Sequence, residues 1–208
     1  MFVICADHCS TYKYFGCGFI VDQSGSIDNY ENNIVREFIN TLSGAFDVGI
    51  GITKSRVGLI PFNRNVGATN ALDHARTTDL NAFKQYVSTF LFARTNCPTC
   101  TNTPEALTQT MIMFQNYSRV VKKVVVVITD GNPNNTYHCA ARTTPLNCLR
   151  QKKFAILKWQ VAPTFIFLRI GSESRTDLFE HKETKRYDVT NFRQLPNVAA
   201  DVVSQMCL

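Results

Sequence analysis

A chain of 208 residues is long enough for one domain with a sizeable core, and 45% hydrophobic against 18% charged residues excludes a disordered chain. No apolar run approaches the roughly 18–20 residues of a membrane span, so insertion into a bilayer is not expected. The net charge of +6 falls in small clusters, Lys122-Lys123, Arg150 to Lys153 and Lys182 to Arg186; a solvated surface explains these better than a nucleic-acid groove.

Eight cysteines favour an oxidising compartment. Two sequons, Asn116-Tyr117-Ser118 and Asn134-Asn135-Thr136, are compatible with a secreted glycoprotein. The opening Met1 to Cys5 is too short for the apolar region of a signal peptide. The expectation is an extracellular domain whose secretion signal has been removed, or a cut-out domain with a start Met.

Residues 1–14 hold Cys5 and Cys9 and read as an N-terminal arm tied down by disulfides; residues 15–208 read as one domain. Phe19-Ile20-Val21 is a buried strand, followed by the loop Asp22-Gln23-Ser24-Gly25-Ser26. Ile27 to Phe46 carries an apolar stripe through Ile34, Phe38 and Leu42 and predicts a helix, with Ser26 or Asp28 suited to its cap. Arg56 to Phe62 is a second strand, and Pro61 points to an edge position or a bulge. Val66 to Leu72 reads as a short edge strand and Asp79 to Phe90 as a helix. Another helix opens at Thr103-Pro104, with Thr103 suited to the cap and Pro104 to the first turn.

Val124 to Ile128 is unbroken and β-branched, the pattern of a central parallel strand, and it runs into Thr129-Asp130-Gly131. The polar excursion Asn132 to Leu149, with Cys139 and Cys148, reads as a functional loop. A helix over Gln151 to Trp159, a strand over Thr164 to Ile170, a helical turn near Asp177 to Glu180, an edge strand near Arg186 to Val189 and a last helix from Asn191 complete the chain. Alternating strands and helices predict a doubly wound, mostly parallel central sheet with helices on both faces.

In such a sheet the loops after Val21, before Thr103 and after Ile128 share the edge formed by the strands' carboxyl ends, where ligand sites lie. Five oxygen-bearing side chains, Asp22, Ser24, Ser26, Thr103 and Asp130, can converge there. Hard divalent cations take such oxygens, two carboxylates balance the charge, and Mg²⁺ keeps waters or a substrate oxygen in its other positions. Taken alone, Asp22, Ser24 and Ser26 are equally a polar turn capping a helix; Thr103 and Asp130 weigh against that.

Several motifs, in order, resemble the von Willebrand factor A domain, also called the integrin inserted domain, over roughly Phe15 to Cys207. Phe19 to Ile27 matches the family's Asp-x-Ser-x-Ser signature. Phe46-Asp47-Val48-Gly49 with Arg56 to Phe62 is similar to its second strand, and Thr101 to Leu107 to its threonine loop. Val126 to Gly131 matches its fourth strand, and Asn191 to Leu195 the start of its last helix. The resemblance implies a Rossmann-like fold and a metal-ion-dependent adhesion site. Ser24, Ser26 and Thr103 would touch the ion, Asp22 and Asp130 would act largely through water, and a partner's carboxylate would take the open position. It also implies that the N-terminal cysteines tie to Cys207. Gln23 stands where Gly is frequent in the family, and Cys100 likewise.

The resulting expectation is an extracellular adhesion or matrix-binding module that takes a protein ligand, collagen or another matrix protein, through Mg²⁺, with Mn²⁺ or Ca²⁺ as alternatives. The second reading is a structural matrix domain binding through its basic and aromatic surface, with the metal incidental. A metal-dependent hydrolase is disfavoured, because no general base accompanies the site and neither serine has a His partner. Cys97-Pro98-Thr99-Cys100 is read as structural disulfide rather than redox pair or zinc site.

Overall fold

A strand buried on both faces needs apolar side chains at successive positions, and four segments of this chain supply them. The computed structural model describes residues 14–63, 66, 77–90, 101–116, 121–131, 163–171 and 184–208. Within them five strands form one sheet: β1 (Gly16–Asp22), β2 (Arg56–Phe62), β3 (Lys123–Thr129), β4 (Thr164–Ile170) and β5 (Thr184–Val189). Their order is β2-β1-β3-β4-β5 and every pairing is parallel. β1 and β3 are therefore central. β2 is an edge of this sheet, which lets it carry Pro61 opposite Val21.

The helices are α1 (Asn29–Gly44), α2 (Leu80–Phe90), α3 (Thr103–Gln115) and α4 (Leu195–Cys207), the last preceded by a 3-10 turn at Phe192–Gln194. Alternation along each strand divides the core in two. Phe19, Val21, Val124, Val126, Ile166 and Leu168 pack with Val35, Ile39, Val87 and Val202, the layer of α1, α2 and α4. Ile20, Ile60, Val125, Val127 and Phe165 pack with Ala106, Leu107, Met113 and Phe114 of α3. The sheet thus has helices on both faces, as the doubly wound reading requires.

The first helix is shorter than the sequence expectation at both ends. It starts one residue after Asp28, whose side chain accepts from Glu31 N–H at 2.8 Å while Glu31 accepts from Asp28 N–H at 2.9 Å. This capping box assigns the cap to Asp28 and not Ser26. α3 departs from expectation too. Its N-cap is Asn102, whose side chain accepts from Glu105 N–H at 3.3 Å, and Thr103 is the first helical residue. Of the expected edge strand at Val66 to Leu72, Val66 makes an antiparallel bridge to Phe62; residues 67–72 lie outside the described residues. So do the arm before Tyr14, the loop Asn132 to Leu149, the helix over Gln151 to Trp159, the turn near Asp177, and Cys5, Cys9, Cys97, Cys100, Cys139 and Cys148. Cys17 is free and buried in β1, and burial pushes its thiol pKa up, away from reactivity. Cys207 is disulfide-bonded to a residue outside the described set. Among the described residues no helix is long and apolar enough to cross a membrane.

Where α3 covers β1, the Met113 side chain fills the space over Gly18: a Cβ there would sit 2.6 Å from Met113 Cε and 3.7 Å from Phe114 and Thr110. Gly18→Val is expected to overpack this layer and lose about 1–3 kcal/mol of stability in urea unfolding. Gly44→Ala, where a Cβ meets nothing within 4 Å, is the control and should leave the midpoint unchanged or slightly raised.

Candidate metal centre

Strand parity decides which side chains meet at the sheet's carboxyl edge. Asp22 shares the parity of Ile20, and Thr129 that of Val125 and Val127, so both face the α3 layer. β1 and β3 are in register at Val21 and Ile128, which makes Asp22 and Thr129 neighbours one step further on. The Thr129 hydroxyl donates to Asp22 Oδ2 at 2.6 Å and accepts from Gly131 N–H at 3.1 Å. The other oxygen, Asp22 Oδ1, accepts from Ser24 N–H at 2.8 Å. A carboxylate held on both oxygens has one orientation.

From this floor the site rises to solvent. Asp22 is 1% exposed and Ser24 3%, Asp130 is half-buried, and Ser26 is exposed. Ser24 Oγ and Ser26 Oγ are 3.1 Å apart, and Ser26 Oγ donates to Asp130 Oδ1 at 3.2 Å. Asp22, Ser24, Ser26 and Asp130 thus form one connected group across two strand ends. Thr103 is the first residue of α3, two positions after Thr101. Thr101 Oγ1 lies 3.6 Å, and Asp22 Oδ2 3.9 Å, from where a Cβ on Gly131 would stand, which brings the threonine loop to the two strand ends. Asn102 N–H donates to Asn63 O at 2.8 Å and fixes the loop against β2.

The electrostatics of the two acids are set by burial and by each other. Burial raises the Asp22 pKa to about 6, against the hydrogen bonds from Thr129 and Ser24, with the Asp130 charge raising it further. Burial also raises Asp130, opposed by Ser26. Both effects disfavour two bare carboxylates side by side, and a cation between them reverses the sign. Thr103 Oγ1 is buried and has no hydrogen-bond partner. An unmet buried hydroxyl costs free energy and calls for a ligand. The donor set fits a hard cation: two carboxylates and three hydroxyls, oxygen throughout. Among the described residues no group of three or more His, Cys, Asp or Glu comes together.

Sequence reasoning missed Thr129 and Asn102. Thr129 was visible as a polar residue ending an apolar strand, at the position beside Asp22. Asn102 was hidden by the preference of Thr for helix caps, which pointed to its neighbour.

The von Willebrand factor type A domain family model matches residues 18–201. No curated protein sequence matches the chain. Among solved structures, proximal thread matrix protein 1 from the mussel byssus superposes with a TM-score of 0.75 at 17% identity, over 93% of this chain and 46% of that one. The same protein with a zinc-occupied MIDAS motif gives 0.74 at 16%, over 94% and 46%. Manganese-loaded TRAP protein from Plasmodium vivax gives 0.62 at 17%, over 94% and 72%. The chain spans about half the length of the byssus protein. At these identities the structures speak for the fold, and the family match, which covers most of the sequence, speaks for descent: this chain belongs to the von Willebrand factor type A domain family.

Proposed function

We propose that the chain is a non-catalytic extracellular binding module that engages a protein ligand through a divalent cation held by Asp22, Ser24, Ser26, Thr103 and Asp130. The observation that carries this reading is the Thr103 hydroxyl, buried without a partner at the start of α3, together with two linked carboxylates whose protonation burial favours. A cation resolves both deficits at once, through one oxygen from α3 and charge compensation at the ends of β1 and β3. Mg²⁺ suits the small, all-oxygen set and keeps open positions for outside oxygens; Mn²⁺ and Ca²⁺ are the alternatives. That similar structures carry zinc in a MIDAS motif and manganese supports a divalent ion.

The graded exposure, from buried Asp22 to exposed Ser26, leaves the outer side of such an ion to a ligand carboxylate. Matrix proteins, collagen among them, are the ligand class we propose. A bound ion supplies only an anchor for an oxygen here. Among the described residues no group of three or more His, Cys, Asp or Glu comes together, and a binding role needs no general base.

Mg²⁺ or Mn²⁺ at a hundred times its dissociation constant is expected to stabilise the native state by about 2.7 kcal/mol, read as a rise in thermal midpoint. Asp22→Ala and Asp130→Ala should fold and lose this rise; calorimetric titration giving unchanged cation affinity in both would overturn the ligand set.

Thr129 is expected to act through Asp22. Thr129→Val should weaken Mg²⁺ binding by about tenfold or more, while Thr129→Ser, which keeps the hydroxyl, should restore it. Equal affinities in the two variants would deny Thr129 that role.

Capture of a matrix protein from extract is expected with Mg²⁺ and lost with chelator. Capture that survives chelation would show that the surface binds without the ion.

A further inference from the structure

The motif Asn191 to Leu195 opens the last helix, and one of its residues is not used by the fold. Phe192 and Leu195 are buried in the core. Gln194 accepts from Thr190 N–H at 2.9 Å, and its own N–H donates to Asn191 O at 3.1 Å, which closes the turn. Arg193 is exposed between these anchors. Its guanidinium carbon stands 5.3 Å from the centroid of the Tyr30 ring, within the range of a cation–π contact. Tyr30 is itself 55% exposed. Among the described residues no carboxylate pairs with Arg193. The acidic residue in the first turn of α1, Glu31, is committed to the capping box.

The place of this pair matters as much as its chemistry. All five strands are parallel, so the turn after β5 and the start of α1 after β1 lie at the same sheet edge as Asp22 and Asp130. The turn packs against α1. Tyr30 follows Ser26 by four residues, a separation of at most about 14 Å between their backbones. Stacking on the ring restricts the arginine, so less freedom is lost when its planar donors meet a carboxylate. Those donors match a carboxylate in bidentate fashion.

Resting on the metal reading of the preceding subsection, we propose that Arg193, positioned on Tyr30, is a second anchor of the same binding face, and that the ligand is an acidic peptide segment offering one carboxylate to the cation and another to Arg193. The two acidic residues would stand a few residues apart in an extended segment, as the separation of Ser26 and Tyr30 requires. The metal contact is common to every carboxylate; the Arg193 contact distinguishes a ligand by the spacing of its charges.

The test uses two sets of labelled synthetic peptides: one with a single Glu in a Gly-Ser background, the other with two Glu separated by two to eight residues. Binding is followed by fluorescence polarisation at fixed Mg²⁺, with Mg²⁺ affinity measured separately by calorimetry. In the wild-type chain at least one two-Glu spacing should bind about tenfold to a hundredfold tighter than the single-Glu peptide, the worth of a charge-assisted hydrogen-bonded contact. Arg193→Ala should remove that advantage and leave single-Glu binding and Mg²⁺ affinity unchanged. Tyr30→Leu should reduce the advantage by about two- to fivefold, and Tyr30→Phe, which keeps the ring, should retain it. A two-Glu advantage that persists in Arg193→Ala, or is absent at every spacing while the single-Glu peptide binds with Mg²⁺, overturns the second anchor and spares the metal site. No Mg²⁺-dependent binding of any peptide overturns the metal reading and this proposal with it.

Discussion

Two carboxylates end adjacent strands in the middle of a parallel sheet, and much of this structure can be understood from how that is tolerated. A sheet covered on both faces has no water to offer a charge at the centre of its edge. Asp22, 1% exposed, is given three things instead: a threonine hydroxyl on one oxygen, a backbone N–H on the other, and a second acid close enough to repel it. The first two hold it in place. The third makes an empty site unfavourable, and with it the Rossmann-like topology becomes a frame that presents negative charge at one point.

The helix caps are part of the same device. Serine and threonine at the start of a helix are ordinarily consumed by its free N–H groups. Here α1 and α3 are capped by Asp28 and Asn102, which sit two residues after Ser26 and one before Thr103. The hydroxyls beside them are released, Ser26 toward Asp130 and Thr103 toward no protein atom. Local helix chemistry and the site do not compete because different residues serve each.

Much of this was legible in the residue order. The β-branched run before Asp130 and the apolar run before Asp22 named the two central strands, since a strand with no polar alternation has both faces covered. Their acidic ends named the edge at which Asp22, Ser24, Ser26 and Asp130 are linked. The mostly parallel pairing was expected from helices between strands, and of the edge or bulge that Pro61 suggested, the edge is observed. What could not be read was any feature decided by a neighbour distant in sequence. Thr129 matters because register sets it next to Asp22, 107 positions away; the sequence marks it as a polar strand end but not its partner. The cap of α3 was misassigned, and that of α1 was left between Ser26 and Asp28, because residue preference cannot separate candidates one or two positions apart. The seat of Met113 over Gly18 is likewise set by a distant neighbour, and in sequence Gly18 is one small residue in a strand.

One buried thiol has a consequence for the cysteines as a set. Eight is an even number and suggests complete pairing, yet Cys17 stands free inside β1, shielded on both faces of the sheet. The seven others cannot pair off among themselves. Parity alone leaves at least one sulfur besides Cys17 without a mate inside this 208-residue stretch, so full oxidation of the other seven requires a bond to a thiol outside it.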